Sequence, residues 1–324
     1  MSVASSSTAR GSPGTVAAPV AVISLVYGQT PQELRNFVSR ITTLVPPPAA
    51  LYLVNNEQGR PLGDELATVR ARPPAVVVEA GSNLGFARGV NEAVRIAAAD
   101  GHETALLLNT DVDILADDLL ARLLEALVTT GSDFASPGIS CYPDTGTVWY
   151  RGATCSRPAW VTRHPGIGRP WDTPRQRVVS TEVGCSCCML VSLGAFWHLG
   201  GFEGRLFMYF EDAELANRAR MAGSRTVLLD EPLVAHHKKG RRLSSVEAFF
   251  FGRNPLLLIR WNERGVRRLA GTFMHFAASG AYLLRADGSR ARVALLRGLR
   301  DGLAGRDGPP GAWLIARDGI VEQT

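Results

Sequence analysis

Long apolar segments are missing from this sequence. A mostly apolar run from Leu269 to Leu284 is 16 residues long between Arg268 and Arg285, short of the roughly 20 that a bilayer-spanning helix needs. Cysteine is scarce, and the five present form no even disulfide framework. Three of them, Cys185, Cys187 and Cys188, crowd into "GCSCCML", but no second Cys or Cys/His pair shows structural-zinc spacing. They read as small buried thiols, reduced in a cytoplasmic protein. The opening "MSVASSSTARGSPGTVAAP" has neither a basic n-region nor a continuous apolar h-region, so it reads as a disordered leader and not as a signal peptide. Also absent are G-x-G-x-x-G, G-x-S-x-G and a Cys paired with a motif His, which argues against a dinucleotide fold and against a covalent nucleophile.

What is present is enough for a sizeable core. With 324 residues, 46% hydrophobic and 20% charged, the chain can build one large domain with an extension, or two small ones. Its net charge of +5 suits nucleic acid, anionic lipid or a phosphorylated small molecule equally. "VAVISLVYG" (Val20 to Gly28) is a β-branched run suited to a central strand, and Thr30 with Pro31 then marks a helix start. "ALYLVNN", "AVVVEAG" and "ETALLLNTDVD" repeat the strand pattern, with "GFARGVNEAVRIAAADG" as an Ala-rich helix ending near Gly101. This alternation predicts an α/β fold with a mainly parallel sheet and helices on both faces, whose ligands gather beyond the carboxyl ends of the strands.

Polar residues at those ends are the candidates for function. Asp111 and Asp113 leave the apolar run "LLLNTDVDI" one residue apart. They can converge on a hard divalent cation, Mg²⁺ or Mn²⁺, or simply cap the helix predicted in "ADDLLARLLEALV". In "GSNLGFARGVNEAV", Gly81, Gly85 and Gly89 surround Asn83, Arg88 and Asn91 at a helix beginning, where free N–H groups and a cation suit a diphosphate or nucleotide. Glu211 and Asp212 follow "FMYF" and open a helix with Ala213, Leu215, Ala216 and Ala219 toward the core. Such a carboxylate can act as general base toward a sugar hydroxyl, or be only a first-turn acid favoured by the helix dipole. His236 and His237, after a further strand, can complete a metal site begun by the aspartates.

Together these motifs resemble the GT-A glycosyltransferases of family 2, in their bacterial rhamnosyltransferase-like branch. The resemblance rests on the order of "NLGFARGVNEAV", "LLLNTDVDI", "GCSCCMLVSLGAFWHLGGFEGRLFMYFEDAELANRARMAG", "AHHKKGRRLSS" and "FFFGRNPLLLIRW". It implies a nucleotide-diphospho-sugar transferase fold with a mixed, mainly parallel sheet and a helical C-terminal extension. The implied layout is a leader over 1–19, a catalytic domain over 20–240 with a nucleotide-sugar half (20–115) and an acceptor half (116–240), and a basic helical extension over 241–324. Residue by residue, Asp111 matches the first aspartate of the family's D-x-D, near the donor's ribose or diphosphate, and Asp113 the metal-binding second. His236 matches a further metal ligand, with His237 as its substitute. Asp212 matches the catalytic base and Glu211 a holder of the acceptor, while Tyr27, Asn83 and Asn91 match positions that look toward the donor nucleotide.

The chain departs from the family pattern at the second strand, where Val54, Asn55 and Asn56 stand for the usual V-D-N. The Asn55 side-chain oxygen can still accept from a base N–H, without the charge-assisted part of that bond. The implied reaction is an inverting transfer, assisted by Mn²⁺ or Mg²⁺, from a dTDP-rhamnose-like or UDP sugar to a hydroxyl of a saccharide, a lipid-linked glycan or a natural product. Rival readings are a sugar nucleotidyltransferase, which "VYGQTPQE" disfavours for want of Lys or Arg, and a catalytically impaired glycan-binding protein. Nucleic acid is excluded as a partner because the basic residues gather in the C-terminal extension while acids line the cleft. That Arg-rich extension reads either as a helical cap on the core or as a peripheral contact with the inner face of a membrane, and its apolar face is also suited to a homodimer.

Overall fold

In a computed structural model, the chain is described over residues 19–62, 73–173, 176–237 and 242–315. Residues 1–18 of the leader, Lys238 and Lys239 at the end of the catalytic domain, and Arg241 at the start of the extension lie outside the described residues. Among the described residues there are twelve strands: β1 Val20–Val26, β2 Ala50–Asn55, β3 Ala75–Glu79, β4 Thr104–Leu108, β5 Val112–Ile114, β6 Phe134–Cys141, β7 Val148–Tyr150, β8 Thr154–Ser156, β9 Val161–Arg163, β10 Val178–Ser180, β11 Cys188–Ser192 and β12 Thr226–His236. The main sheet runs β10-β12-β6-β11-β4-β1-β2-β3, with β5 added to β12 and β7 to β6. Strands β3, β2, β1, β4, β6 and β12 share one direction; β11 and β10 oppose them.

Residues of β1 alternate between two cores, as pleating requires. Val20 and Val22 join one apolar cluster with Leu34, Phe37 and Val38 of the Pro31–Ile41 helix. Ala21 and Ile23 join the other, with Val90, Ala93 and Val94 of the Gly85–Ala99 helix. The first helix starts where its sequence predicts: Thr30 accepts from the Glu33 N–H, Glu33 reaches back to Thr30, and Pro31 fills the first helical position. The second ends at Ala99, beside the expected Gly101.

Beyond β12 the chain is helical, over Ser245–Asn262, Gly265–Arg285 and Gly288–Ala304. The first and third of these pack backbone to backbone through glycines: a Cβ on Gly298 would lie 2.0 Å from the Phe249 carbonyl and one on Gly252 2.6 Å from the Leu295 carbonyl. The Ser245–Asn262 helix also presses Phe250 and Phe251 onto Phe207, Tyr209 and Phe210, the segment that leads into Glu211.

Candidate functional site

Asp111 and Asp113 do not cap the following helix. That helix begins at Leu119, and Asp113 lies on β5, which pairs with the end of β12 so that Asp113 is opposite Ala235 and Val112 opposite His236. The strand period of two then buries Val112 and Ile114 and turns Asp111 and Asp113 to the same open side. The pairing brings the D-x-D and the two histidines onto one rim. His236 Nε2 is 3.5 Å from Asp111 Oδ2, and His237 Nε2 is 2.9 Å from Asp113 Oδ2. Each imidazole is backed by an aromatic ring: Trp149 stacks on His236 and Tyr142 on His237, both with centroids 4.2 Å apart. Sequence reasoning missed these rings, which arrive from the β6–β7 region and share no motif with the histidines.

The oxygen and imidazole donors of this rim are of the type that Mn²⁺ accepts. Among the described residues no three His, Cys, Asp or Glu side chains are gathered as ligands would be. The cysteines are all free, and Cys185, Cys187 and Cys188 are buried, with the Sγ atoms of Cys185 and Cys187 3.3 Å apart. Burial drives the Cys187 and Cys188 thiols well above their ordinary range, so they behave as inert core groups.

Glu211 and Asp212 open the Glu211–Ala222 helix, and Ala213, Leu215, Ala216 and Ala219 face the core as expected. The approach is strained: Phe207, Tyr209 and Phe210 all have positive φ, at 68°, 66° and 71°. Bulky side chains rarely adopt such angles, at a cost of about 1–3 kcal/mol each unless the surroundings enforce them. Here Asn254 enforces them. Its Nδ2 donates to the carbonyls of Leu206, Met208 and Tyr209 at 3.2, 2.9 and 2.8 Å, while its Oδ1 accepts from Arg253 Nε at 2.9 Å. Arg253, equally buried, donates to the carbonyls of Leu206 and Gly308. Neither residue was assigned a role from sequence, although an Arg-Asn pair inside the apolar "FFFGRNPLLLIRW" is the signal that reveals them.

Both carboxyls of the pair are pushed above the usual range. For Glu211 the cause is burial, then the charge of Asp212; for Asp212 it is burial, opposed by the Ala213 N–H that donates to its Oδ1 at 2.7 Å. Ser186 Oγ donates to Glu211 Oε1 at 3.3 Å, and Glu211 Oε2 is buried with no hydrogen-bond partner. A raised carboxyl is a stronger base than an ordinary Asp, which is what proton removal from a hydroxyl requires.

The nucleotide-side residues are arranged differently from expectation. Asn55 is fully buried: its Oδ1 accepts from the Glu57 N–H, and its Nδ2 donates to Glu79 and to the Arg60 carbonyl. Both ends of its amide are therefore used inside the fold. Asn91 clasps the backbone of Phe202, accepting from its N–H and donating to its carbonyl, both at 2.8 Å. Asn83 Oδ1 accepts from the Gly85 N–H, and the Ala87 N–H donates to the Phe207 carbonyl, so the expected free N–H groups at this helix start are partly taken. Tyr27 is half-buried just past β1, and Arg88 is exposed, its stem against Gly204. Gly85 and the Phe207 carbonyl are the physical join between the nucleotide-side loop and the loop that presents Glu211 and Asp212.

No protein-family model matches the chain. It is 28% identical over 243 residues, 67% of its length, to N-acetylglucosaminyl-diphospho-decaprenol L-rhamnosyltransferase of Mycobacterium tuberculosis, in strains CDC 1551 / Oshkosh and ATCC 25618 / H37Rv, and covers 75% of that protein. In fold it is similar to GalNAc-T7, solved with UDP, GalNAc and Mn²⁺, at TM-score 0.62 and 12% identity; the match covers 93% of this chain and 56% of that one. It is also similar to the mannosyltransferase PcManGT of Pyrobaculum calidifontis, solved with GDP-Man and Mn²⁺, at TM-score 0.52 and 16% identity, covering 94% and 83% of the two chains. Motif order, sheet topology and these likenesses agree: the chain is a glycosyltransferase of GT-A fold, similar in sequence to the mycobacterial rhamnosyltransferase.

Proposed function

We propose that the protein transfers a deoxyhexose of the rhamnose type from a nucleoside diphosphate sugar to a hydroxyl of a saccharide carried on a lipid diphosphate, with inversion at the anomeric carbon. The observation behind this reading is the rim made by β5 and the end of β12, where Asp111, Asp113, His236 and His237 come together. The activity of the mycobacterial relative supports the sugar and the acceptor class, and the Mn²⁺ of both fold neighbours supports a divalent cation.

Asp111 and Asp113 would hold that cation with His236, or with His237 in its place; the cation supplies charge that offsets the departing diphosphate. Trp149 and Tyr142 fix the planes of the two imidazoles. Asp212 takes the proton of the acceptor hydroxyl as that oxygen attacks the anomeric carbon, and Glu211 positions the acceptor. Asn55, Asn83 and Asn91 act from behind, by fixing the loops that form the donor pocket. In this reading Tyr27, Arg88 and Asp111 contact the nucleotide.

Isothermal titration with dTDP and UDP, with and without Mn²⁺, tests the donor half on wild type and Asp113→Ala. Metal-dependent binding of one nucleotide, lost in the variant, is expected. Binding of neither nucleotide by the wild type overturns the donor assignment.

A further inference from the structure

The Gly265–Arg285 helix is mounted inside out. It buries Gly271, His275, Ser279 and Tyr282, a stripe of small and polar residues, against the rest of the protein. Gly271 meets the Pro158 carbonyl so closely that a Cβ would come within 2.6 Å; His275 Nε2 is 3.3 Å from the Gly252 carbonyl; the Tyr282 ring stands edge-on to Phe251. The opposite face is apolar and open to solvent, with Val266 81%, Leu269 73%, Phe273 75% and Leu284 87% exposed. A soluble surface helix normally shows the reverse pattern.

At 1.5 Å per residue the helix is about 30 Å long, and its uncharged stretch runs from Leu269 to Leu284 between Arg268 and Arg285. Among the described residues no helix is long and apolar enough to cross a membrane. From Glu263 to Asp301 the sequence has eight arginines and three acids, Glu263, Asp287 and Asp301, which are paired with Arg267, Arg242 and Arg300. Two copies meeting through this face would bring together helix ends on which arginines outnumber acids, whereas an anionic bilayer supplies both the apolar layer and the countercharge.

We infer that the Gly265–Arg285 helix lies in the interface of an anionic membrane, apolar face down. The placement also suits the site: Tyr282 packs on Phe251, which packs on Phe210, the residue before Glu211. Two aromatic rings, Phe251 and Phe210, thus link the lipid-facing helix to the segment that carries Glu211 and Asp212.

The test is flotation of the full chain with phosphatidylcholine vesicles, with and without phosphatidylglycerol, for wild type and for Leu269→Gln/Phe273→Gln/Leu284→Gln. Wild type is expected to float with the anionic vesicles, about ten-fold less with neutral ones or in high salt, and the variant about ten-fold less at unchanged melting temperature. Failure of the wild type to float overturns the inference, as does flotation undiminished in the variant. A wild-type dimer that the variant turns into monomer, without flotation, overturns it in favour of a second copy. Should the variant fold poorly, Phe273→Trp decides: the emission it adds to that of the six native tryptophans, read as the difference from wild type, shifts to the blue on anionic vesicles, and an unshifted difference spectrum overturns the inference. None of these readouts involves donor or transfer, so the result stands apart from that of the nucleotide titration.

Discussion

The side-chain amide of Asn254 is hydrogen-bonded to the Tyr209 carbonyl at 2.8 Å, across 45 residues of sequence. Through it the C-terminal helices hold the strained segment that presents Glu211 and Asp212. Because Arg253 Nε donates to Asn254 Oδ1, the NH₂ end must face the carbonyls, and the amide is locked in one orientation.

Asn254→Leu keeps the volume and removes the donors, leaving buried carbonyls unsatisfied at roughly 1–3 kcal/mol each. The melting temperature is expected to fall by several degrees. Transfer should fall further than that loss explains, since Phe207, Tyr209 and Phe210 lose the bond that enforces their positive φ. Equal activity per folded molecule would show that Asn254 supports the fold and not the site.

Gly85→Ala tests the join between the two loops. Gly85 has φ +74°, and a Cβ there would lie 2.5 Å from the Phe207 carbonyl. The αL conformation alone costs a non-glycine residue about 1–2 kcal/mol, and backbone contact leaves no flexible group to yield. We expect a destabilised protein in which the KM for donor rises and kcat falls together, read by steady-state kinetics.

Much of this was legible in the sequence. Apolar runs marked β1 to β4, and Thr30-Pro31 marked the first helix, because local patterning and caps decide those elements. The reversed strand β11, antiparallel to both neighbours, was not legible, since its apolar run reads the same in either direction. The site was half legible. Asp111, Asp113, His236 and His237 stood out as polar residues at strand ends, but their meeting depends on the long-range β5–β12 pairing. Asn55 and Asn91 look like ligands in a sequence, while only the fold brings their partners Glu79 and Phe202 near; Asn83 is taken up locally, by the Gly85 N–H two residues on.

Trp149→Ala removes the ring stacked on His236 while leaving the rim donors in place. Groups that orient a metal ligand are typically worth about 10–100-fold in metal affinity. A drop of that order in Mn²⁺ affinity, measured by titration in the presence of the nucleotide, is expected; an unchanged affinity would remove His236 from the ligand set and leave His237.

Asp212→Asn should abolish transfer while sparing donor binding. General-base catalysis is worth about 10²–10⁴ in rate, so kcat should fall by at least that much with the nucleotide Kd unchanged. In wild type the base must be ionised, and burial raises its pKa. The acid limb of the kcat/KM profile should therefore lie above the ordinary carboxylate range, with activity rising as pH increases through it. A limb at ordinary aspartate values would assign the proton transfer elsewhere.

Glu211 makes an opposite prediction for stability. Its folded pKa is raised, by burial and then by the Asp212 charge, so the native state binds the proton more tightly than the unfolded chain. Stability from this group is present below the unfolded carboxylate pKa and is lost as pH rises toward the folded value. Glu211→Gln stays neutral throughout, while its amide oxygen can keep the Ser186 bond. The variant should melt a few degrees above wild type at pH 8, and the gap should close toward pH 5. A gap that stayed constant with pH would mean that Glu211 is ionised in the native protein at both ends of the range, held by a charge that burial and Asp212 alone do not provide.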